Sequence, residues 1–316
     1  MNDLLKNPPN TNPPLNIVGM MMVRNEEWII GLSLRVALQW CDRVVVMDHR
    51  SEDHTSDIVL AIASEPEYRG RVILLRERTA LWREMAFRNV MLDAARHLKA
   101  SHAAIIDADE ILTANLMDEV RQLAGNVLPG GVLELPMIPA WRSLDEYRDD
   151  DSVWCRQQLS TVVGMCDDLH YTTRGREEYD FHHRIPMGAL SGGRKPYQPL
   201  SGLAGGGVIH AQFAHWGRLS WKHTLYKMIE VIRWPGREPV ARVDAKYDQA
   251  VDETGLKVTP MDAEFLGAYR DAGWLNEIGL NEEPWQKAEC HRLMERHGVE
   301  KFHGLNLRGV WDTISV

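Results

Sequence analysis

Between residues 16 and 137, short apolar runs alternate with stretches of helical period, and that alternation leaves few folds open. The runs at 16–22, 43–47, 71–75, 103–106 and 131–137 read as strands, and 43–47 is Arg-Val-Val-Val-Met. Helical spacing separates them at 26–39, 56–63, 82–98 and 116–123. Such alternation requires crossover connections, so it predicts an α/β, Rossmann-like domain whose central sheet is mainly parallel and flanked by helices. The first four strands each end in a polar cluster: Arg24-Asn25-Glu26-Glu27, Asp48 to Asp53, Arg76-Glu77-Arg78, and Asp107-Ala108-Asp109-Glu110. In a parallel sheet these clusters share one edge, where open α/β sheets bind ligands.

Asp107-Ala108-Asp109-Glu110 constrains the chemistry most. Two carboxylates leaving a core strand one residue apart repel each other unless a cation lies between them. Oxygen ligands suit Mg²⁺ or Mn²⁺, and such ions also take phosphate oxygens, so the motif points to a metal-bridged diphosphate. Asp107 and Asp109 are the candidate ligands. His210, after the Gly205-Gly206-Gly207 run and a short apolar stretch, is a candidate third. Asn25, Glu26 and Glu27 suit a helix N-terminus, with Asn25 as cap, and Asp53 or Thr55 can cap the next helix. Carboxylates here would repel phosphate, so contact from this loop would be with a base or ribose. Asp48, at its strand end, can accept a hydrogen bond from a base N–H. Arg24, Arg50, Arg83 and Arg88 are the remaining candidates for the nucleotide, the last two on the helix at 82–98, where Arg can reach a diphosphate. Asp168, Glu178 and Asp180 are candidates for a base that takes an acceptor proton.

At 316 residues and 44% hydrophobic content the chain can bury a sizeable core. Residues 1–15, rich in Asn and Pro, read as a mobile leader. Residues 16–137 form the nucleotide-binding half. Residues 138–218 form an acceptor-side half of the same domain, with a loop-like Gly-rich stretch at 188–207, and residues 219–316 a helical C-terminal region. A net charge of −9 disfavours nucleic acid as a partner. The four scattered cysteines carry no Cys-x-x-Cys, and no run of about 18 apolar residues exists. The expectation is a cytoplasmic protein with reduced thiols, free to touch a membrane only peripherally.

As a set, Val23-Arg24-Asn25-Glu26-Glu27, Asp48-x-Arg-Ser-x-Asp-x-Thr55, Arg88-Asn89 and Asp107-Ala108-Asp109-Glu110 resemble the family 2 glycosyltransferases and their relatives with the A-type nucleotide-sugar fold. The match spans roughly residues 16 to 115. His183-Arg184-Ile185 and Val208-Ile209-His210 are similar to segments flanking the acceptor site in that family. The resemblance implies an inverting, metal-assisted transfer from a nucleotide-diphosphate sugar to a saccharide or other hydroxyl acceptor. Asp48 would contact the base, Asp107 the ribose and metal, and Asp109 the metal, with His210 as the C-terminal metal-site histidine. Asp48-His49-Arg50 departs from the family, which carries small residues after the Asp. The competing reading is a non-catalytic carbohydrate- or nucleotide-binding protein that kept the fold. A haloacid-dehalogenase-type phosphatase is disfavoured because Glu110-Ile111 follows the Asp pair. A nucleotidyltransferase is disfavoured because no Gly-rich loop follows the first strand.

Overall fold

The computed structural model describes residues 14–79, 81–173, 184–189, 193–196, 205–280, 283–307 and 309–310. Its first half is β1 (Ile17–Val23), α1 (Ile30–Trp40), β2 (Arg43–His49), α2 (Thr55–Ser64), β3 (Val72–Glu77), α3 (Glu84–His97) and β4 (His102–Asp107). There follow β5 (Glu110–Leu112), α4 (Met117–Gly125), β6 (Val132–Pro139), β7 (Glu146–Arg148), β8 (Gln158–Gly164), β9 (Arg194–Pro196) and β10 (Val208–His210). The C-terminal region holds α5 (Trp216–Arg233), α6 (Val240–Asp248), β11 (Val258–Pro260), α7 (Ala263–Asp271) and α8 (Trp285–His297).

The main sheet runs β3-β2-β1-β4-β8-β6-β10-β5, with β9 beside β6, and five of its eight pairings are parallel. The expected α/β architecture with a mainly parallel sheet is therefore observed. The four polar clusters do lie along one edge, because β1 to β4 are mutually parallel.

Side chains alternate across the strands, as a sheet covered on both faces requires. Val44, Val46, Ala104 and Ile106 pack with α1 and α2 residues such as Leu34, Leu38 and Val59. Val18, Met20, Val45, Met47, Ala103 and Ile105 pack under α3, against Met85, Phe87, Met91 and Leu92. Each such buried aliphatic side chain contributes about 1.5–3 kcal/mol. A separate apolar cluster joins α5, α6 and α8 through Leu225, Met228, Val243, Tyr247, Cys290 and Met294.

The structure departs from the sequence expectations at several points. The strand at 131–137 is β6, but it does not lie beside β4: the antiparallel β8, which alternation did not suggest, separates them. The stretch at 188–207 is not wholly loop, since 194–196 forms β9. Helix α1 starts at Ile30 rather than near residue 26, and Asn25 does not cap it. Asn25 instead adopts φ +52° and bonds across to the β2–α2 loop: Ser51 Oγ accepts from its N–H (3.0 Å) and its Oδ1 accepts from the Glu52 N–H (2.7 Å). No helix among the described residues is long and apolar enough to cross a membrane.

Candidate functional site

The turn after β4 positions the acidic motif. The Asp107 N–H donates to Glu110 Oε2 (3.0 Å), closing a tight turn that carries Asp109 and opens into β5. Strand β5 pairs antiparallel with β10, opposing Glu110 to His210. The Ala211 N–H donates to the Asp109 carbonyl at 2.8 Å, so His210 is held next to the acidic turn. The glycine run makes this approach possible. A Cβ on Gly207 would lie 2.2 Å from the Pro136 carbonyl oxygen, and Gly206 has φ +99°.

These residues open into a cleft of about 500 Å³. Its floor is Arg24 and Glu26 after β1, with Asp107, Asp109 and Glu110 after β4. Helix α5 forms one wall. Arg218, Lys222, Tyr226, Ile229 and Arg233 recur at helical spacing and all line the cleft. The Arg233 guanidinium donates to the Trp82 carbonyl (3.0 Å), tying the end of α5 to the segment leading into α3. A smaller depression of about 250 Å³ adjoins the cleft through Arg218 and Trp285, and Asn25 and Glu27 line it.

The charges at the strand ends are paired. Arg184 forms a bidentate pair with Glu110 (2.6 and 2.9 Å) and reaches Asp107 Oδ2 (2.9 Å). Arg88 pairs with Glu84 (2.9 Å) and lies 3.6 Å from Asp107 Oδ1. Arg218 pairs with Glu26 and lies over the Trp28 ring. Lys222 Nζ donates to Asp109 Oδ2 (3.2 Å) and Gln212 Oε1 (3.1 Å). Arg24 makes no ion pair among the described residues and stacks on the Trp285 indole, 4.9 Å from its centroid. The described lining of the cleft thus holds five carboxylates (Glu26, Glu84, Asp107, Asp109, Glu110) and seven cations (Arg24, Arg88, Arg184, Arg218, Lys222, Arg233, Lys246). Burial pushes the Asp109 carboxyl upward, but Lys222, His210 and Arg218 outweigh it and hold the group well below the usual carboxylate range. Burial opposes the Lys222 charge, and Asp109 more than offsets it, so the ammonium is retained.

Of the three expected metal ligands, the structure brings together Asp109 and His210. The Asp107 oxygens instead face Arg184 and Arg88. Among the described residues no cluster of three His, Cys, Asp or Glu is arranged to hold a metal. A two-ligand site does fit. His210 Nδ1 is buried without a hydrogen-bond partner and lies 3.7 Å from Asp109 Oδ1. Donors at that separation can both lie about 2.1 Å from one ion, and Mg²⁺-like ions commonly take the rest of their shell from water and phosphate.

The other expected residues divide. Arg24 and Arg88 line the cleft. Asn25 and Glu27 line the smaller depression, and Glu27 Oε2 also accepts from the His54 N–H (2.9 Å). Asp48 is turned into its own loop: Oδ1 accepts from the Ser51 N–H (2.9 Å) and Oδ2 from the Ser56 hydroxyl. Asp48 is buried and lines neither depression, so its visible role is to close this loop. Arg50 and Arg83 are exposed and line neither depression. Asp168 is exposed in the turn after β8, at the end of the sheet where β4 begins, so it stands away from the acidic turn. Glu178 and Asp180 lie outside the described residues.

Three site residues were absent from the sequence expectations: Arg218, Lys222 and, as a cation on the acidic turn, Arg184. The first two had a signal, the polar stripe on α5. Arg184 was visible only as part of His183-Arg184-Ile185, without a sign of its partner, and a contact through Tyr171 links its backbone to Asn89. The Asn89 side chain clasps the Tyr171 backbone (2.8 Å to both N and O), and the Tyr171 hydroxyl donates to the Arg184 carbonyl (2.9 Å).

No protein-family model matches this chain, and no curated protein matches it. Among solved structures, S. aureus TarS 1-349 is similar at 13% identity and TM-score 0.42, covering 89% of this chain and 80% of that one. Mannosyltransferase PcManGT from Pyrobaculum calidifontis, in complex with GDP-Man and Mn²⁺, is similar at 23% identity and TM-score 0.29, over 41% of this chain and 39% of that one. Glucosyl-3-phosphoglycerate synthase from Mycobacterium tuberculosis, in complex with Mn²⁺, UDP and glucosyl-3-phosphoglycerate, is similar at 14% identity and TM-score 0.27, over 40% and 44%. None of these likenesses reaches a TM-score of 0.5, so none carries the functional reading.

Proposed function

We propose that this protein transfers a sugar from a nucleotide-diphosphate sugar to an acceptor hydroxyl, as the motif resemblance to family 2 glycosyltransferases implies. The observation that carries the reading is Asp109. It stands at the carboxyl end of a parallel strand, between His210 and Lys222, in a cleft of about 500 Å³. Several of the cations in the cleft are already paired: Arg88 with Glu84, Arg184 with Glu110, Arg218 with Glu26 and Lys222 with Asp109. A nucleotide diphosphate would arrive with its own cation, and Asp109 with His210 would hold it.

A divalent ion bound there would supply charge neutralisation to the departing diphosphate. Around it, Arg88 and Arg184 provide fixed positive charge, preorganised by pairs with Glu84 and Glu110. The acceptor hydroxyl attacks the anomeric carbon as the bond to the diphosphate oxygen breaks. The diphosphate leaves with that electron pair, and a carboxylate takes the hydroxyl proton. Attack on the face opposite the leaving group inverts the centre. Glu178 and Asp180, six and four residues before Arg184, are our candidates for the base. Trp154, Gln157 and Gln212, which also line the cleft, are candidates for acceptor contact.

The test is a thermal-shift screen of UDP, GDP, CDP and TDP with and without Mn²⁺, because ligand binding to the native state raises the melting temperature. A metal-dependent rise with one of them, absent in Asp109→Ala, names the donor base. Release of that nucleotide from its sugar conjugate, lost in Glu178→Gln or Asp180→Asn with binding intact, identifies the base. No rise with any nucleotide refutes the donor site.

A further inference from the structure

We infer that Lys222 is a displaceable cation. It pairs with Asp109 until a divalent ion enters between Asp109 and His210, and its ammonium then turns to the leaving diphosphate. The inference rests on the donor-site reading above and gives α5 a part in it that no sequence motif marks.

Asp109 has two unlike faces. Its Oδ1 looks toward His210 Nδ1, 3.7 Å away, a buried nitrogen without a hydrogen-bond partner. Its Oδ2 is taken by Lys222 Nζ at 3.2 Å. An ammonium has three donors. Lys222 spends one on Asp109 and one on Gln212, which leaves one for a ligand. Its side chain is 17% exposed and lines the cleft.

Lys227, five residues further along α5, shows what a structural lysine looks like in this protein. Its side chain is 2% exposed, and Asp244 (2.9 Å), Asp248 (2.8 Å) and the Asn306 carbonyl (2.9 Å) surround its ammonium. Lys227 is saturated and sealed; Lys222 is neither. Fastening of α5 by Lys227 also keeps the helix in place while the flexible four-carbon stem of Lys222 moves.

Charge balance gives the direction of the exchange. Lys222 pairs with Asp109, so a divalent ion that takes the Asp109 charge leaves the Lys222 ammonium without its counter-charge. A diphosphate beside that ion is the complement the ammonium calls for.

Two titrations test this on the full chain: Mn²⁺ alone, and UDP or GDP at saturating Mn²⁺. Both are followed by calorimetry in the wild type, Lys222→Met and Lys222→Arg. Displacement predicts changes of opposite sign. Lys222→Met binds Mn²⁺ alone about tenfold more tightly, because no ammonium competes for Asp109. It binds the nucleotide with Mn²⁺ about tenfold more weakly, because the diphosphate loses a cation. Lys222→Arg keeps the charge and moves both values back toward the wild type. Weakening of both affinities, or a change in neither, overturns the inference and makes the pair purely structural. A wild type that binds Mn²⁺ but no nucleoside diphosphate refutes the donor reading and the diphosphate half of the inference. The Mn²⁺ titration alone then decides the displacement half.

Discussion

The strand-end loops and helix α5 use their charged residues in opposite ways. In the loops after β1 and β2, the polar motif residues mostly bond to one another. Asn25 links to Ser51 and Glu52, Glu27 accepts from the His54 N–H, and Asp48 accepts from Ser51 and Ser56. On α5, two residues are buried and saturated, Lys227 and Glu230, while Arg218 and Lys222 are carried into the cleft. A conspicuous motif can thus be spent on building a loop, and an unremarkable helix can deliver the working charge. The difference comes from burial. A polar group that loses water must find a partner, and the nearest partner of a loop residue is usually the loop itself.

Four substitutions sharpen or break this contrast. Lys227→Met removes the buried cation between Asp244 and Asp248, and is expected to cost about 3–5 kcal/mol of stability in urea unfolding. A cost below about 1 kcal/mol would show that α5 is held chiefly by its apolar contacts. Asp109→Asn is expected to lower turnover about a hundredfold, near 2.7 kcal/mol, at temperatures where urea unfolding shows the variant still folded. Retained turnover would remove Asp109 from the chemistry.

Glu230→Gln comes next, at about 2 kcal/mol, because a buried carboxylate accepts from Tyr247 (2.7 Å), Lys246 (2.9 Å) and Arg237 (2.6 Å). Burial pushes the Glu230 carboxyl upward, but Tyr247, Lys246 and Arg237 outweigh it and depress it below 4.5. The stability it adds is therefore complete above that pH and fades as the solution is acidified through the depressed value. Wild type and variant should differ fully at neutral pH and converge in acid. A pH-independent difference would mean that the charge contributes nothing. The smallest effect is expected for Asp48→Ala: about 1 kcal/mol of stability, with nucleotide preference unchanged. A changed base preference in the thermal-shift screen would restore Asp48 as a base contact.

Much of the fold was legible in advance. The elements from β1 to β4 lie within a few residues of their expected positions, because apolar periodicity is a local record of which face is buried. Antiparallel β8 was not legible, since no local pattern says which strand a segment will pair with. Within the site, Asp107 and Asp109 were visible as a strand-end pair, but their different fates were not. Asp107 meets Arg88 and Arg184, whereas Asp109 meets His210 and Lys222, and three of these four partners lie more than 70 residues away in sequence.

The sequence by itself determined an α/β chain with its polar clusters on one edge of a parallel sheet, because strand and helix periods and strand-end positions are short-range properties. Only the tertiary structure decided which clusters face the cleft and which bond to themselves. That outcome depends on whether distant segments, above all Arg184, His210 and α5, arrive to share the charge. Electrostatic pairing acts through space, and the chain records only its own order.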